Sequence, residues 1–171
     1  MKLIISDTNI LIDLIRLELI DVFFQLENLA LKTTDFVFEE LFEEQKLVFS
    51  IFINDGKFEI LESFEDDLLQ IMDIQARTSG LSFEDCSVWY FAEKLNGILL
   101  TGDGKLRRQS SLNGVEVKGI LFVFDILLLQ NKITFEDAID KLNQLYQLNT
   151  RLPTVPKNQR IEFWSKRQHI D

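Results

Sequence analysis

The chain has 171 residues, of which 46% are hydrophobic and fifteen are Phe, and its formal net charge is -10. This length and composition allow one good hydrophobic core and make two independent domains improbable. The single cysteine, Cys86, excludes an internal disulfide, and the acidity disfavours binding to a phosphate backbone unless metal ions neutralise the carboxylates locally.

Short apolar runs without alternation recur along the chain, as is typical of strands buried on both faces of a parallel sheet. The first run, Lys2–Ser6, is predicted to be the central strand. Longer stretches with helical spacing separate the runs, and this alternation predicts a parallel α/β sheet covered by helices on both sides. The other four runs are residues 29–33, 58–61, 98–101 and 115–118.

Three helix starts share one pattern, Ser or Thr followed by Phe, Glu and Asp, at residues 63–66, 82–85 and 134–137. Each pattern predicts an N-cap followed by a negatively charged first turn. Two prolines follow the last helical pattern and end it. We therefore predict a domain over residues 1–150, including its C-terminal helices, and a tail over residues 151–171.

No stretch of the sequence is typical of a targeting signal or a membrane span. The opening run is too short for a signal peptide. The longest apolar stretch, Ile120–Leu129, is interrupted by Asp125 and falls well short of the roughly 18 residues that cross a bilayer. We expect a soluble, cytoplasmic protein without a membrane partner.

The residue inventory restricts the chemistry that this chain can perform. The only histidine is His169, near the C-terminus, so Ser-His or Cys-His pairs and sites with several histidines are improbable. The sequence has neither a phosphate-binding loop ending in Lys-Ser/Thr nor a dinucleotide fingerprint after the first strand. A hydrolytic reaction would therefore depend on carboxylates.

Two acids, Asp7 and Asp103, each follow a predicted strand. Both should project from the carboxyl edge of a parallel sheet, where ligands bind in open α/β folds. There they could hold Mg²⁺ or Mn²⁺ through oxygen ligands, with Thr8, Asn9 or Thr101 orienting them by hydrogen bonds. The alternative is that both acids only cap the helices that follow.

Asp85 stands in one of the three capping patterns, but the helix that follows it differs from the other two. Asp66 and Asp137 lead polar or mixed helix faces. Asp85 is in line with an apolar stripe, where a carboxylate should have a partner such as a metal ion or another site residue. We favour a functional role for Asp85 over a cap. The stripe consists of Val88, Trp89 and Ala92.

A run of acidic residues from Glu39 to Glu44 provides the fourth candidate. Most of it is typical of a solvated helix face, but Glu40 and Glu44 border the apolar stripe. Glu40 is closer to the predicted helix start, which lies at the carboxyl edge of the sheet, so we select Glu40. The stripe is taken as Val37, Phe38, Leu41, Val48 and Phe52.

Three basic residues, Lys105, Arg107 and Arg108, follow Asp103 within two helical turns. They could bind substrate phosphates beside a metal site. The alternative, a solvated basic helix face, is equally consistent with the sequence.

Together these motifs resemble those of the PIN-domain nucleases. The resemblance rests on Asp7-Thr8-Asn9 after the first strand, Glu40-Leu41, Asp85 with Ala92 seven residues later, and Thr101-Gly102-Asp103. It covers roughly residues 1 to 130, including Gly119-Ile120-Leu121 after the last strand. The chain looks most similar to compact prokaryotic members, many of which are toxins paired with an antitoxin encoded beside them.

This resemblance implies a three-layer α/β/α sandwich with a five-stranded parallel sheet in the order 3-2-1-4-5. It also implies that Asp7, Glu40, Asp85 and Asp103 bind one or two Mg²⁺ or Mn²⁺ ions and activate water for attack on an RNA phosphodiester. The implied partners are RNA, a second copy of the chain in a dimer, and a small antitoxin. Many relatives carry an acid or Asn where this chain has Lys105, so four acids are expected rather than five.

Two other functions are compatible with parts of the pattern. A non-catalytic binding or regulatory module would keep the fold and use its surface for partners, and the acidity favours it. A phosphatase of the haloacid dehalogenase type would have a second acid two residues after Asp7, where this chain has Asn9.

The predicted tail has the opposite charge balance to the body. Opposite charges should attract, so we expect the tail to reach the acidic site of its own or a neighbouring chain and restrain it. Truncation after Thr150 should then raise nuclease activity or metal affinity. The tail carries Arg151, Lys157, Arg160, Lys166 and Arg167 against Glu162 and Asp171.

Overall fold

The computed structural model describes residues 2–149 and 152–167. In this part of the chain five strands form one parallel sheet, and helices flank it in a three-layer α/β/α arrangement. The spatial strand order is 3-2-1-4-5, which confirms the predicted fold class. The strands are β1 (Lys2–Ser6), β2 (Leu29–Thr34), β3 (Phe58–Leu61), β4 (Ile98–Leu100) and β5 (Glu116–Lys118).

The described helices alternate with these strands and then continue beyond β5. Those of the first half are α1 (Thr8–Arg16), α2 (Ile20–Phe23), α3 (Asp35–Glu39), α4 (Glu43–Asn54) and α5 (Glu65–Arg77). Those of the second half are α6 (Phe83–Lys94), α7 (Gly104–Leu112), α8 (Ile120–Leu129), α9 (Phe135–Leu148) and α10 (Thr154–Arg167). None of the helices within the described ranges is both long and apolar enough to cross a membrane.

The centre of the sheet is β1, which pairs with β2 on one side and β4 on the other. Its residues Ile4 and Ile5 are fully buried, as expected for a strand covered on both faces. The backbone pairing continues beyond the strand, where the Asp7 N–H donates to the Leu100 carbonyl at 2.9 Å. This places the residues after β1 beside those after β4.

The chain divides into two compact units. The first contains the described residues up to Ile12 and Asn28–Ile120, and therefore the whole sheet. Its core includes Trp89, which is fully buried, and the Phe49 and Phe58 rings, whose centroids are 5.2 Å apart.

The second unit contains Asp13–Glu27 and the described residues from Leu121 onwards. Trp164 of α10 is only 2% exposed, and its ring lies 6.0 Å from that of Phe124. The Arg160 guanidinium donates to the Asp125 carboxylate, with a closest approach of 2.6 Å. Most of the predicted tail is therefore helix α10, and the boundary at residue 150 stays a prediction. Thr150, Arg151, His169 and Asp171 lie outside the described residues.

Two local structures differ from the sequence expectations. The predicted single helix that contains Glu40 is interrupted, because α3 ends at Glu39 and α4 begins at Glu43. The Phe42 backbone is extended, and its N–H donates to the Gln45 side chain, which starts a new helix. Helix α5 begins after Phe64 rather than Ser63, since the Ser63 backbone and hydroxyl both donate to Asp35.

Candidate active site

Asp7 is the centre of a hydrogen-bond network at the carboxyl edge of the sheet. It is only 4% exposed, and three groups donate to its carboxylate. The Thr8 backbone N–H donates to Oδ1 at 2.7 Å, while the Asn9 amide and the Thr101 hydroxyl donate to Oδ2 at 2.6 and 2.7 Å. These bonds fix the orientation of the carboxylate, and the role of Thr8, Asn9 and Thr101 in a functional site stays a prediction.

The pKa of Asp7 is raised to about 6. Burial is the main cause, and repulsion by the Asp85 and Glu40 carboxylates adds to it, whereas the hydrogen bonds from Thr101 and Thr8 oppose the shift. A buried acid that retains such a pKa beside other acids is characteristic of functional sites.

Asp103 is joined to Asp7 through Thr101. The Thr101 hydroxyl donates to Asp7 and accepts the Asp103 backbone N–H at 3.0 Å. The Asp103 carboxylate caps α7, because its Oδ1 accepts the Lys105 and Leu106 N–H groups at 2.9 and 2.7 Å. Asp103 is therefore a helix cap, and its role as a metal ligand stays a prediction.

Asp85 is half-buried and forms a capping box at the start of α6. Its Oδ2 accepts the Ser82 N–H at 3.0 Å, and its own N–H donates to the Ser82 hydroxyl at 3.0 Å. Burial first, and repulsion by Asp103 and Glu84 second, raise the pKa of Asp85. Asp85 is thus a helix cap that also lies close enough to the candidate acids Asp103 and Asp7 to repel them.

Glu40 reaches the site from the end of α3. The Glu40 side chain is exposed, and its carboxylate accepts a hydrogen bond from the Thr8 hydroxyl. The same residue, Thr8, holds Asp7 through its backbone N–H, so Thr8 connects the two acids. Glu44 lies in the first turn of α4, also exposed.

A family model described as PIN domain matches residues 3–166. The chain belongs to the PIN-domain family. Among solved structures it is similar to PAE2754 from Pyrobaculum aerophilum, with a TM-score of 0.53 and 20% identity over 74% of this chain and 98% of that chain. It is also similar to VapBC-1 from nontypeable Haemophilus influenzae, with a TM-score of 0.50 and 17% identity over 68% of this chain and 97% of that chain.

At these identities the two structures show a shared fold. No curated protein matches the chain. Members of the PIN-domain family are generally nucleases, and they typically use divalent metal ions.

The four acids of this PIN domain match such ions in donor chemistry, because carboxylate oxygens are the ligands that Mg²⁺ and Mn²⁺ prefer. In residues 2–149 and 152–167, no three Asp, Glu, His or Cys side chains are close enough to share one ion. Asp85 Oδ1, Asp103 Oδ2 and Glu40 Oε1 accept no hydrogen bond from the described residues. These three oxygens therefore have no donor among the described residues.

The three basic residues after Asp103 have different surroundings. Lys105 and Arg108 are exposed, and the Lys105 ammonium lies against Gly80, where a methyl group would overlap it. Arg107 is half-buried, and its guanidinium donates to the Thr101 carbonyl at 2.8 Å. Only Lys105 and Arg108 therefore present their charge mainly to solvent.

A pair of buried hydroxyls, Thr34 and Ser87, connects the two elements next to Glu40 and Asp85 and was not identified from the sequence. Their oxygens are 2.7 Å apart, and they join the start of α3, which leads to Glu40, to α6, which begins beside Asp85. The available signal was a hydroxyl residue at a position that the helix pattern buries, two residues after Asp85.

Proposed function

We propose that this PIN domain is a Mg²⁺- or Mn²⁺-dependent endoribonuclease that hydrolyses RNA phosphodiester bonds. The proposal rests chiefly on Asp7, a buried carboxylate that is held by three donors and repelled by Asp85 and Glu40. A cluster of like charges at one sheet edge costs stability unless a cation relieves it. We assign Asp7, Glu40, Asp85 and Asp103 as the ligands.

Asp7, Glu40, Asp85 and Asp103 would hold the ion, which would supply Lewis-acid chemistry for hydrolysis of the phosphodiester. The protein's own contribution is to hold the ligands in position. Thr8 holds Asp7 and Glu40, Thr101 holds Asp7 and Asp103, and Asn9 links the Asp7 carboxylate to the Gly102 N–H at 2.8 Å. Such preorganised ligands avoid the cost of ordering at each turnover.

The substrate is proposed to be RNA, with Lys105 and Arg108 contacting its phosphates. Both are exposed and lie within the first two turns of α7, whose N-cap is Asp103. Their charges offset the acidity of the body only locally, so substrate affinity should be modest and sensitive to salt.

The sharpest test uses two aspartates in the same capping position. Asp85 caps α6 and Asp137 caps α9, each in a capping box with the hydroxyl residue three positions earlier. Asp85→Asn and Asp137→Asn therefore lose similar helix caps, but only Asp85→Asn should lose cleavage of mixed RNA in Mn²⁺, by about a hundredfold or more. Equal activity of the two variants would remove Asp85 from the site.

Asp7→Asn and Asp103→Asn test the centre of the proposed site in the same assay. We expect both to lose cleavage to the same extent as Asp85→Asn. Glu40→Gln should also lose activity, whereas Glu44→Gln, its matched control on α4, should retain it. Cleavage by Asp7→Asn and Asp103→Asn at the wild-type rate would contradict the proposed reaction.

A non-catalytic binding module remains the second candidate. It is favoured by the net charge of -10 and by the separation of the four carboxylates in the described structure. Calorimetric titration with Mn²⁺ at neutral pH separates the two candidates, because the nuclease must bind the ion. Absence of any heat of binding would favour the second candidate.

We also propose that the protein works in the cytoplasm, as a homodimer and as the toxin of a toxin–antitoxin pair. Family membership supports this proposal. Induced expression should arrest growth, and co-expression of a small protein encoded beside this gene should relieve the arrest. The Asp7→Asn variant should not arrest growth, which separates nuclease toxicity from the burden of expression.

A further inference from the structure

Arg107 contacts the backbone of the candidate site rather than open solvent. Its half-buried guanidinium donates from Nη2 to the Thr101 carbonyl at 2.8 Å. Burial lowers the pKa of Arg107 from its usual value, but arginine stays charged at neutral pH. A desolvated cation of this kind is stable only where acceptors hold it.

The residue that Arg107 contacts is the one that joins two candidate acids. The Thr101 hydroxyl donates to Asp7 at 2.7 Å and accepts the Asp103 N–H at 3.0 Å. The Thr101 N–H donates in turn to the Lys118 carbonyl at 3.0 Å. With its carbonyl held by Arg107, every polar group of Thr101 is engaged, and its hydroxyl has one orientation available.

Gly119 provides the space that this contact needs. A methyl group at Gly119 would overlap the Arg107 Nη2 atom and would lie 3.5 Å from the Thr101 carbonyl oxygen. The backbone at Gly119 is outside the left-handed region, so alanine is compatible with it. Alanine there would therefore displace the guanidinium while leaving its charge in the protein.

We infer that Arg107 is a positioning residue: by holding the Thr101 carbonyl in the slot at Gly119, it fixes the hydroxyl that sets Asp7 against Asp103. The inference rests on the proposed function for the roles of Asp7 and Asp103. It differs from a phosphate contact, because a positioning residue affects the rate of the chemical step rather than RNA binding.

The kinetic test compares Arg107→Gln with Gly119→Ala in RNA cleavage. Both variants should lower kcat by about ten- to a hundredfold, because small misplacements of reacting groups are costly, and KM should change less than twofold. Arg77→Gln, on α5, is the control for loss of one positive charge. A raised KM with unchanged kcat, together with a flatter salt dependence, would overturn the inference in favour of a phosphate contact.

A second readout needs neither metal nor RNA. The Asp103 N–H donates to the Thr101 hydroxyl, so its hydrogen exchange reports on the position of Thr101. Exchange at Asp103 should be at least tenfold faster in both variants, with exchange in β1 unchanged. Unchanged exchange at Asp103 would overturn the inference.

These two readouts separate failure of the inference from failure of the proposed function. A wild-type protein that does not cleave RNA contradicts the proposed function, whereas hydrogen exchange still decides whether Arg107 positions Thr101. Arg107→Lys replaces Arg107→Gln where the latter does not fold. Lysine keeps the charge but not the planar guanidinium, so its exchange rate at Asp103 should also exceed that of the wild type.

Discussion

Two aspartates of the chain are almost completely buried and have raised pKa values, yet their surroundings differ. Asp7 and Asp13 are 4% and 6% exposed, and burial is the main cause of a pKa of about 6 for each. Asp7 accepts three hydrogen bonds, whereas the Asp13 carboxylate accepts none from the described residues. The Asp7 carboxylate is therefore fixed by hydrogen bonds, while Asp13 mainly destabilises the fold when it is charged.

Replacement of Asp13 by Asn should stabilise the protein in a pH-dependent way. The folded-state pKa of about 6 is above the usual value of 3.8, so the stability present below pH 4 decreases as the pH rises through 6. Asp13→Asn should thus raise the free energy of unfolding by about 1–2 kcal/mol at pH 8, with little effect at pH 4.

Urea unfolding at both pH values measures this difference. Asp21→Asn, at an exposed position of α2, is the control and should have little effect at either pH. An equal gain for Asp13→Asn at pH 4 and pH 8 would show that the charge is not responsible.

Asp7 should make metal affinity depend on pH near neutrality. Because its pKa is about 6 without a metal ion, a cation must displace a proton below that pH. We expect Mn²⁺ affinity to rise by about tenfold between pH 5 and pH 7, consistent with one proton released. Calorimetry in two buffers of different ionisation heat measures the proton count, and binding without any proton release at pH 5 would contradict this role.

At the scale of elements, the buried hydroxyl pair forms a directed chain of hydrogen bonds between α3 and α6. The Val37 N–H donates to Thr34, and the Ser87 hydroxyl donates to the Glu84 carbonyl at 2.7 Å. The Thr34 hydroxyl must therefore donate to Ser87, whose oxygen is its acceptor. Each hydroxyl in this series therefore accepts one hydrogen bond and donates one, and no other group in the series can take its place.

Loss of either hydroxyl should destabilise the first unit. Ser87→Ala leaves the buried Thr34 proton without its acceptor, and Thr34→Val also removes the cap of α3, so each should cost about 1–3 kcal/mol. The double variant should cost less than the sum, since the two residues share one bond. Additive effects in urea unfolding would argue against the shared bond, and Ser110→Ala on α7 provides a comparison with a buried hydroxyl outside the pair.

The strands were the elements best predicted from the sequence, because each corresponds to a short apolar run. The strand runs match the structure within one residue at either end, because burial on both faces of a sheet leaves a clear signature. The break between α3 and α4 was not predictable from the apolar stripe, since it depends on the extended backbone of Phe42 and its bond to Gln45. Glu40 was predicted to lie within one continuous helix, but the structure places it between α3 and α4. Its carboxylate nevertheless accepts a hydrogen bond from the Thr8 hydroxyl.

Asp7, Asp85 and Asp103 were selected as candidates because each follows a strand or lies in the first turn of a helix, whereas the hydrogen bonds around them could not be predicted. For Asp85, a cap and a functional role were treated as alternatives, but the cap uses only one of its two carboxylate oxygens. Hydrogen bonds such as that of Arg107 to Thr101 depend on side-chain placement across separate elements. Such contacts leave no periodic pattern in a single sequence.

For the molecule as a whole, the basic tail is part of the second unit's core as well as a set of charges. Helix α10 contributes buried Trp164 and the ion pair of Arg160 with Asp125. Truncation after Thr150 should therefore cost about 3 kcal/mol or more from the lost aromatic burial alone, measured as a lower Tm. A change in activity after truncation would then combine the loss of stability with the loss of any restraint on the site.

Charge neutralisation tests the predicted restraint of the site without removing α10. Lys157→Gln, Lys166→Gln and Arg167→Gln together keep Trp164 and Arg160 in place. If the tail restrains the acidic site, this triple variant should have a higher Mn²⁺ affinity or cleave RNA faster, at an unchanged Tm. Unchanged affinity and cleavage would assign these charges to another contact.

The first unit is discontinuous in the chain, because Asp13–Glu27, between its two segments, belongs to the second unit. A gene fragment that ends at Ile120 would still encode Asp13–Glu27, whose residues Leu14, Leu17 and Phe23 are buried in the 171-residue chain. Such a fragment would expose these apolar side chains and be prone to aggregate. The unit that contains the sheet is therefore not encoded by one continuous segment, and recombination should preserve the two units together.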